Sequence, residues 1–311
     1  MATVLITGGT GLVGRALSGY LLDQGWELII LTRDPDRASR NHPGRIRYLA
    51  WDPAAQTIDP SAIREADFII HLAGAGVAER RWTKRRKREI VESRVNGSRL
   101  LQKSLREIPH QVRAVISASA IGWYGPDVGQ PFVETDPPAT DFLGETCRLW
   151  EDSIDPITEM GIRLYKIRTG IVLSTEGGAM PEFLRPLRFG FATILGSGKQ
   201  VISWIHVDDL CRIYRAALDH KIPEGIYNAV APLPVSNKDL VMTLARIQRG
   251  RFFIPFHVPA FVLKLLLGEM SIEVLKSAVV SAEKLQRSGF QFLYPTVEAA
   301  IPPLLSDRSA V

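Results

Sequence analysis

Three glycines and a short charged tip are the first parts of this chain with the types and spacing to do chemistry. Gly8, Gly11 and Gly14, in "TGGTGLVG", fall between a strand-like apolar run, "TVLITGG", and a run with helical spacing, "GRALSGYLLDQG". Glycines in such a place permit a tight turn, let backbone N–H groups approach a pyrophosphate and let the helix pack closely on the sheet. The turn, with Thr7, Leu12 and Val13 around the glycines, is expected to hold a dinucleotide; a plain structural turn is the alternative. About 20 residues on, a dinucleotide fold delivers a ribose-reading side chain. The chain there reads "LTRDP". Arg33, beside Thr32, offers a charged fork to a 2′-phosphate, which favours NADP. Asp34 competes as a reader of the ribose hydroxyls, which would favour NAD. Asp34 followed by Pro35 equally suits a helix N-cap and first helical position.

The elements that must position these residues follow the same pattern along the first half. "WELIILTR", "RIRYLAWD", "ADFIIHLAG", "VRAVISASA", "IRLYKIRTGIVL" and "EGIYNAV" are apolar strands separated by helical stretches. Near-continuous apolar strands alternating with helices imply a parallel sheet covered on both faces. After about residue 173 the pattern breaks into Gly- and Pro-punctuated segments, and the last 70 or so residues look mainly helical. The expected organisation is a dinucleotide domain of residues 1–173 plus about 197–232, and a smaller domain of about 174–196 plus 233–305.

Composition narrows the class. Of 311 residues, 46% are hydrophobic and 23% charged, ordinary for a soluble globular protein. Two cysteines, Cys147 and Cys211, make no disulfide framework, and a reducing compartment suits them. The chain enters "TVLITGG" without a basic leader, so a cytoplasmic protein is expected. The most apolar late stretch, "VPAFVLKLLLGEM", is too short to span a bilayer and carries Lys264, so no membrane association is expected. "RRWTKRRKRE" places seven basic residues in ten. Inside a cofactor fold this is expected to be a solvated helix face or a contact for substrate phosphate, with no nucleic acid bound. The same charge would repel across a two-fold axis, so a monomer or weak dimer is expected. His206, Asp208 and Asp209 lack a third metal-ligand spacing; no metal is expected, and they read as a strand end and helix cap.

These residues together resemble the extended short-chain dehydrogenase/reductases, the superfamily of nucleotide-sugar epimerases and dehydratases. "TGGTGLVG" is similar to its cofactor turn, "HLAG" (71–74) to the strand end beside the adenine ribose, "SASAIGWYG" (117–125) to the strand carrying its catalytic serine, and "WIHVDDL" and "GIYNAV" to late elements. "RRWTKRRKREIVESRV", "FLGETCRLWE", "RTGIVLS" and "LQRSGFQFLYP" narrow the resemblance to an atypical, epimerase-like subfamily. Some of its members are labelled cell-division inhibitors, and they carry a C-terminal domain of unknown function. The resemblance implies an α/β fold: a Rossmann-like doubly wound parallel sheet with a smaller, mainly helical C-terminal substrate domain. It also implies cofactor contacts from Leu72, Ala73, Gly74, Asn96, Ser117 and Ser119.

The superfamily's proton-handling pair is a tyrosine with a lysine four residues on, one helical turn away. None of the seven tyrosines here has that lysine. Gly144, Thr146 and Glu151 set the local frame, putting Leu143 in the tyrosine place and Cys147 in the lysine place. Ser119 occupies the catalytic-serine place, or is a strand-end hydroxyl satisfied by backbone. Tyr124 is the candidate replacement proton donor, or packs beside Trp123. Cys147 is a reactive thiol or an inert buried one. Two functions stay open. One is an NADP-dependent epimerase- or reductase-like enzyme acting on a sugar-nucleotide-like or other small hydroxy/carbonyl substrate. The other is a sensor that binds NADP(H) without turnover and acts through a protein partner.

Overall fold

The computed structural model describes residues 2–41 and 46–306. The apolar runs form an eight-stranded sheet. In chain order its strands are β1 (Thr3–Thr7), β2 (Glu27–Thr32), β3 (Ile46–Asp52), the short β4 (Thr57–Ile58), β5 (Phe68–His71), β6 (Ala114–Ala120), β7 (Arg163–Thr169) and Gly225–Ala229. From one edge to the other the order is Gly225–Ala229, β7, β6, β5, β1, β2, β3, β4. Neighbours are parallel except β3 and β4. Helices α1 (Leu12–Asp23), α2 (Pro35–Asn41), α3 (Pro60–Glu65), α4 (Lys84–Glu107) and α5 (Phe142–Ile154) connect the strands, and Val207–Leu218 precedes the last of them.

Alternation along each strand divides the side chains between two cores. Val4 and Ile6 pack with Leu17 and Leu21 of α1 and with Leu210 and Ile213 of the helix Val207–Leu218. Leu5 and Ile69 face the other way, onto Ala62 and Ile63 of α3 and Leu100, Leu101 and Leu105 of α4. Each such side chain, when fully buried, contributes about 1.5–3 kcal/mol, so the strand ends are held by packing on both faces. β1 pairs with β2 on one side and β5 on the other. The chain therefore leaves β1 in one direction and returns past it in the other, and the crevice at such a reversal is where α/β sheets bind ligands.

A third core draws on later segments: Leu173, Met180, Leu184 and Trp204 pack with Leu240, Leu244, Ile301 and Leu304. Beside it the strand Phe191–Leu195 pairs in parallel with Ile254–Val258. The C-terminal part is mainly helical, as expected, and that second strand is a short extended segment within it. Its Pro255 reads in sequence as a break, and proline is tolerated because this strand lies at an edge. Short helices follow at Ala260–Leu267, Ser271–Leu275, Glu283–Arg287 and Val297–Ser306. Among the described residues no helix is long and apolar enough to cross a membrane.

Candidate functional site

The glycine turn has a geometry that only glycine supplies. Gly8 has φ +69°, and a Cβ there would lie 2.9 Å from the Ala73 nitrogen. A Cβ on Gly14 would lie 2.3 Å from the Gly8 carbonyl oxygen. The Gly11 N–H donates to the Gly8 carbonyl at 3.0 Å. The helix α1 then begins at Leu12 with no side chain capping it and no acidic residue in its first turn. Its first N–H groups and the positive end of its dipole are left for an anion. Leu12 is half-buried at this mouth, and Val13 packs on the sheet core.

Thr7 holds the turn from inside. It is fully buried, and its hydroxyl accepts from the Leu72 and Ala73 N–H groups at 3.1 and 3.2 Å. Its own proton goes to His71 Nδ1, 2.7 Å away. His71 Nε2 then faces Ser98 Oγ at 3.3 Å. Burial, with Arg94 nearby, lowers the His71 pKa to about 4, so the ring is neutral at physiological pH. Leu72 and Ala73 thus meet the glycine turn, and a Cβ on Gly74 would lie 3.0 Å from the Arg94 side chain. Thr7 does not face the crevice, and neither does Ser117, which is buried with its hydroxyl on the Ala118 carbonyl. Contacts from those two side chains to a cofactor run against this geometry. Asn96 is half-buried on α4, and its carbonyl accepts from Gln56 at 3.1 Å.

At the tip of β2, Asp34 acts as a cap. Its carboxylate accepts from the Arg37 N–H at 3.0 Å at the start of α2, and its own N–H reaches Thr32 Oγ1 at 3.3 Å. Arg33, between them, is exposed. The arrangement commits the acid to helix capping and leaves the Arg33 side chain in solvent beside it.

The residues in the catalytic-serine and proton-donor places are tied into a buried network. Ser119 Oγ donates to Glu151 Oε1 at 2.6 Å. Glu151, on α5, takes Arg168 of β7 in a two-point pair at 2.8 and 3.0 Å, with Lys166 at 3.6 Å. The Arg168 guanidinium lies 3.7 Å from the centre of the Trp123 ring. It also donates to the Tyr124 hydroxyl at 3.0 Å and to the Glu134 carbonyl at 3.1 Å. Tyr124 in turn donates to Asn228 Oδ1 at 2.7 Å and stacks on Phe132. Its ring is fully buried, and burial pushes its pKa up to about 12 against the pull of Arg168. A proton donor must reach the reacting group directly or through one water. This geometry runs against Tyr124 in that role: its hydroxyl is enclosed and committed on both sides.

Leu143 and Cys147 lie side by side on the α5 face next to the β6 tip. A Cβ on Gly122 would sit 3.3 Å from Leu143 Cβ and 3.6 Å from Cys147 Sγ. The thiol points to the Ala120 carbonyl at 3.7 Å. Burial raises its pKa to about 12, opposed by Arg94, so it is a neutral and inert group at pH 7. Arg94 is half-buried, its Nη1 on the Ala75 and Ile90 carbonyls at 3.0 and 2.9 Å and its guanidinium 4.9 Å from the Trp150 ring centre. Among the described residues no carboxylate pairs with it.

The basic run is partly a clamp. Arg86 is buried against the Gly76 carbonyl, Glu79 and Glu89. Arg81 donates to the Leu265 carbonyl, and Lys87 pairs with Glu269 while lying over Phe142. "WIHVDDL" is also structural: His206 accepts from the Asp208 N–H as a helix cap, and buried Asp209 takes the Leu293 and Tyr294 N–H groups at 2.9 Å each.

Sequence reading used Glu151 only as a frame marker and missed Arg168, Asn228 and Arg94. One signal was present: an arginine next to Ile167 and Thr169 in a strand with neighbours on both sides must be paired if it is buried.

Residues 4–143 match the NAD dependent epimerase/dehydratase family, and residues 258–302 match a domain of unknown function, DUF1731. The chain is 34% identical to the epimerase family protein YfhF of Bacillus subtilis, over 99% of each chain. The crystal structure of human epimerase family protein SDR39U1 (isoform 2) with NADPH is similar at 29% identity and TM-score 0.84, covering 98% of this chain and 99% of that one. A nucleoside-diphosphate sugar epimerase from Corynebacterium glutamicum is 36% identical with TM-score 0.73; the match covers 96% of this chain and 57% of that longer chain.

Proposed function

The chain belongs to the NAD dependent epimerase/dehydratase family, and from that premise we propose that it binds NADP(H) in preference to NAD(H) and works as an NADP(H)-responsive binding protein, without the proton transfer of carbonyl–alcohol chemistry. Gly8, Gly11 and Gly14 would hold the pyrophosphate against the start of α1, and Arg33 the 2′-phosphate. The NADPH in the human relative's structure supports this choice. When bound, the nicotinamide supplies hydride chemistry. The protein's side of such a reaction needs a proton donor, and one observation carries the proposal: the hydroxyls of Ser119, Tyr124 and Thr146 are all committed internally. Leu143 adds only an apolar wall. Losing a positioned acid–base group costs roughly 10²–10⁴-fold in rate.

Arg94 favours a second reading, an enzyme acting on a sugar-nucleotide-like or other small hydroxy/carbonyl substrate. A cation without a carboxylate partner beside Cys147 has the charge of the missing lysine.

The decisive experiment is NADPH consumption against a broad carbonyl panel. The native protein is expected to bind NADPH and show no turnover above background. Leu143→Tyr with Cys147→Lys is expected to gain turnover. Either single variant should gain little, because a tyrosine alone keeps a pKa near about 10. Native turnover, lost in Arg94→Gln, would establish the second reading instead.

The cofactor preference is tested separately. One charge-assisted contact is worth about 1.5–3 kcal/mol, so NADPH should bind roughly ten-fold or more tighter than NADH, and Arg33→Ala should erase the difference. Equal affinities in the native protein by fluorescence titration would refute it.

A further inference from the structure

Apolar residues in the C-terminal part face outward as a group. Along the strand pair, Phe191 lies opposite Ile254, and Phe256 follows on the same face. With Phe189 and Phe252 at the strand starts, these residues are 46–85% exposed. The chain then runs through Pro259 into the helix Ala260–Leu267, where only Leu263 is buried and Phe261, Leu265 and Leu266 stand in solvent. Such a concentration of exposed apolar side chains in adjoining segments marks a contact site.

Charge identifies the occupant. Residues 183–200 and 246–268 contain no Asp or Glu. Arg188, Arg246, Arg251 and Lys264 are exposed there, and among the described residues none is paired with a carboxylate. Two copies meeting through this face would bring their cations together. Strand addition along Ile254–Val258 is also weakened. The Ile254 N–H is spent on Gly190, so the alternate residue Pro255 faces the open edge and has no N–H to offer. Aromatic and aliphatic side chains amid unpaired cations match the interface of an anionic bilayer, where apolar groups enter the headgroup boundary and Lys and Arg meet phosphate. The eight-residue helix is about 12 Å long, far short of a span of about 30 Å, so it would lie on the surface.

We infer that the strand pair Phe191–Leu195/Ile254–Val258 and the helix Ala260–Leu267 form a docking face for anionic phospholipid membranes. This departs from the expectation of no membrane contact, which rested on the length of the apolar run and on Lys264 within it, both arguments against a span rather than against surface contact. It is independent of the cofactor reading.

Flotation of the full chain with vesicles tests it. The protein should float with phosphatidylcholine vesicles containing phosphatidylglycerol, stay behind with phosphatidylcholine alone, and be released by salt. Arg251→Glu should weaken binding roughly five-fold or more. Phe252→Ser with Phe261→Ser should abolish it, with melting temperature and NADPH affinity unchanged because both side chains are exposed. Lys84→Glu, in the basic run of α4, should leave binding at the native level. Failure to float with phosphatidylglycerol vesicles would overturn the inference, as would equal loss in Lys84→Glu. A dimer by light scattering that Phe252→Ser dissolves would assign the face to a second copy, and binding to polyglutamate without vesicle binding would assign it to an acidic polypeptide.

Discussion

Glu151→Gln should destabilise the protein by about 3–5 kcal/mol, the range for removing one partner of a buried ion pair. Glu151 is 3% exposed and Arg168 1%. The amide keeps the shape and loses the charge. It leaves the guanidinium in the interior with neutral acceptors and turns an N–H₂ towards either Arg168 or Ser119. The loss should be largely restored when both partners become apolar, in Glu151→Met with Arg168→Met, because an apolar pair of similar volume is often as stable as the ions it replaces. Urea unfolding of Glu151→Gln and of the double variant would measure this. A Glu151→Gln variant within about 0.5 kcal/mol of the native protein, the usual range of surface substitutions, would show that water reaches the pair and that the network is not a structural joint.

Gly14→Ala should act on binding. Nothing in the local dihedral angle forbids alanine there, since Gly14 is not among the residues with positive φ. The obstacle is space alone: the methyl would meet the Gly8 oxygen at 2.3 Å and Gly9 Cα at 2.6 Å, both backbone atoms. Neither can rotate away as a side chain would. Relief requires the turn to open or α1 to move off the sheet, and overpacking of this kind costs about 1–3 kcal/mol, occasionally more. Since the displaced atoms are those expected to meet the pyrophosphate, NADPH affinity should fall by roughly 10–100-fold or more. Gly19→Ala, in the same helix with nothing within 4 Å of its Cβ position, should leave affinity unchanged. Native-like NADPH binding in Gly14→Ala would place the dinucleotide elsewhere.

How much was legible in the sequence differs by the range of the interaction. The turn at Gly8, Gly11 and Gly14 and the cap at Asp34 were readable because each is decided by residues within one turn of chain. The placement of Leu143 and Cys147 was readable because Gly144 and Thr146 sit beside them on the same helix. The enclosure of Tyr124 was not legible because its partners, Arg168 and Asn228, come from strands 44 and 104 residues away, and no local pattern announces a pairing of that kind. The exposed strand Ile254–Val258 was hidden for another reason. Hydrophobic periodicity separates apolar from polar faces but does not say which apolar face is covered.

The ion pair of Glu151 and Arg168 also bears on the order in which the molecule assembles. Both residues, with Ser119 and Tyr124, lie in the first 168 positions, but Asn228, Val280 and Ala282, which close over Tyr124, come much later in the chain. While the C-terminal third is still being synthesised, the open seam at the end of β6 and β7 presents charged and hydroxyl groups alongside the Tyr124 and Phe132 rings. Exposed apolar surface is what makes partly folded chains stick to one another. An ion pair at the centre of that seam would hold water there until the covering residues arrive, which is the opposite of an apolar seam left open.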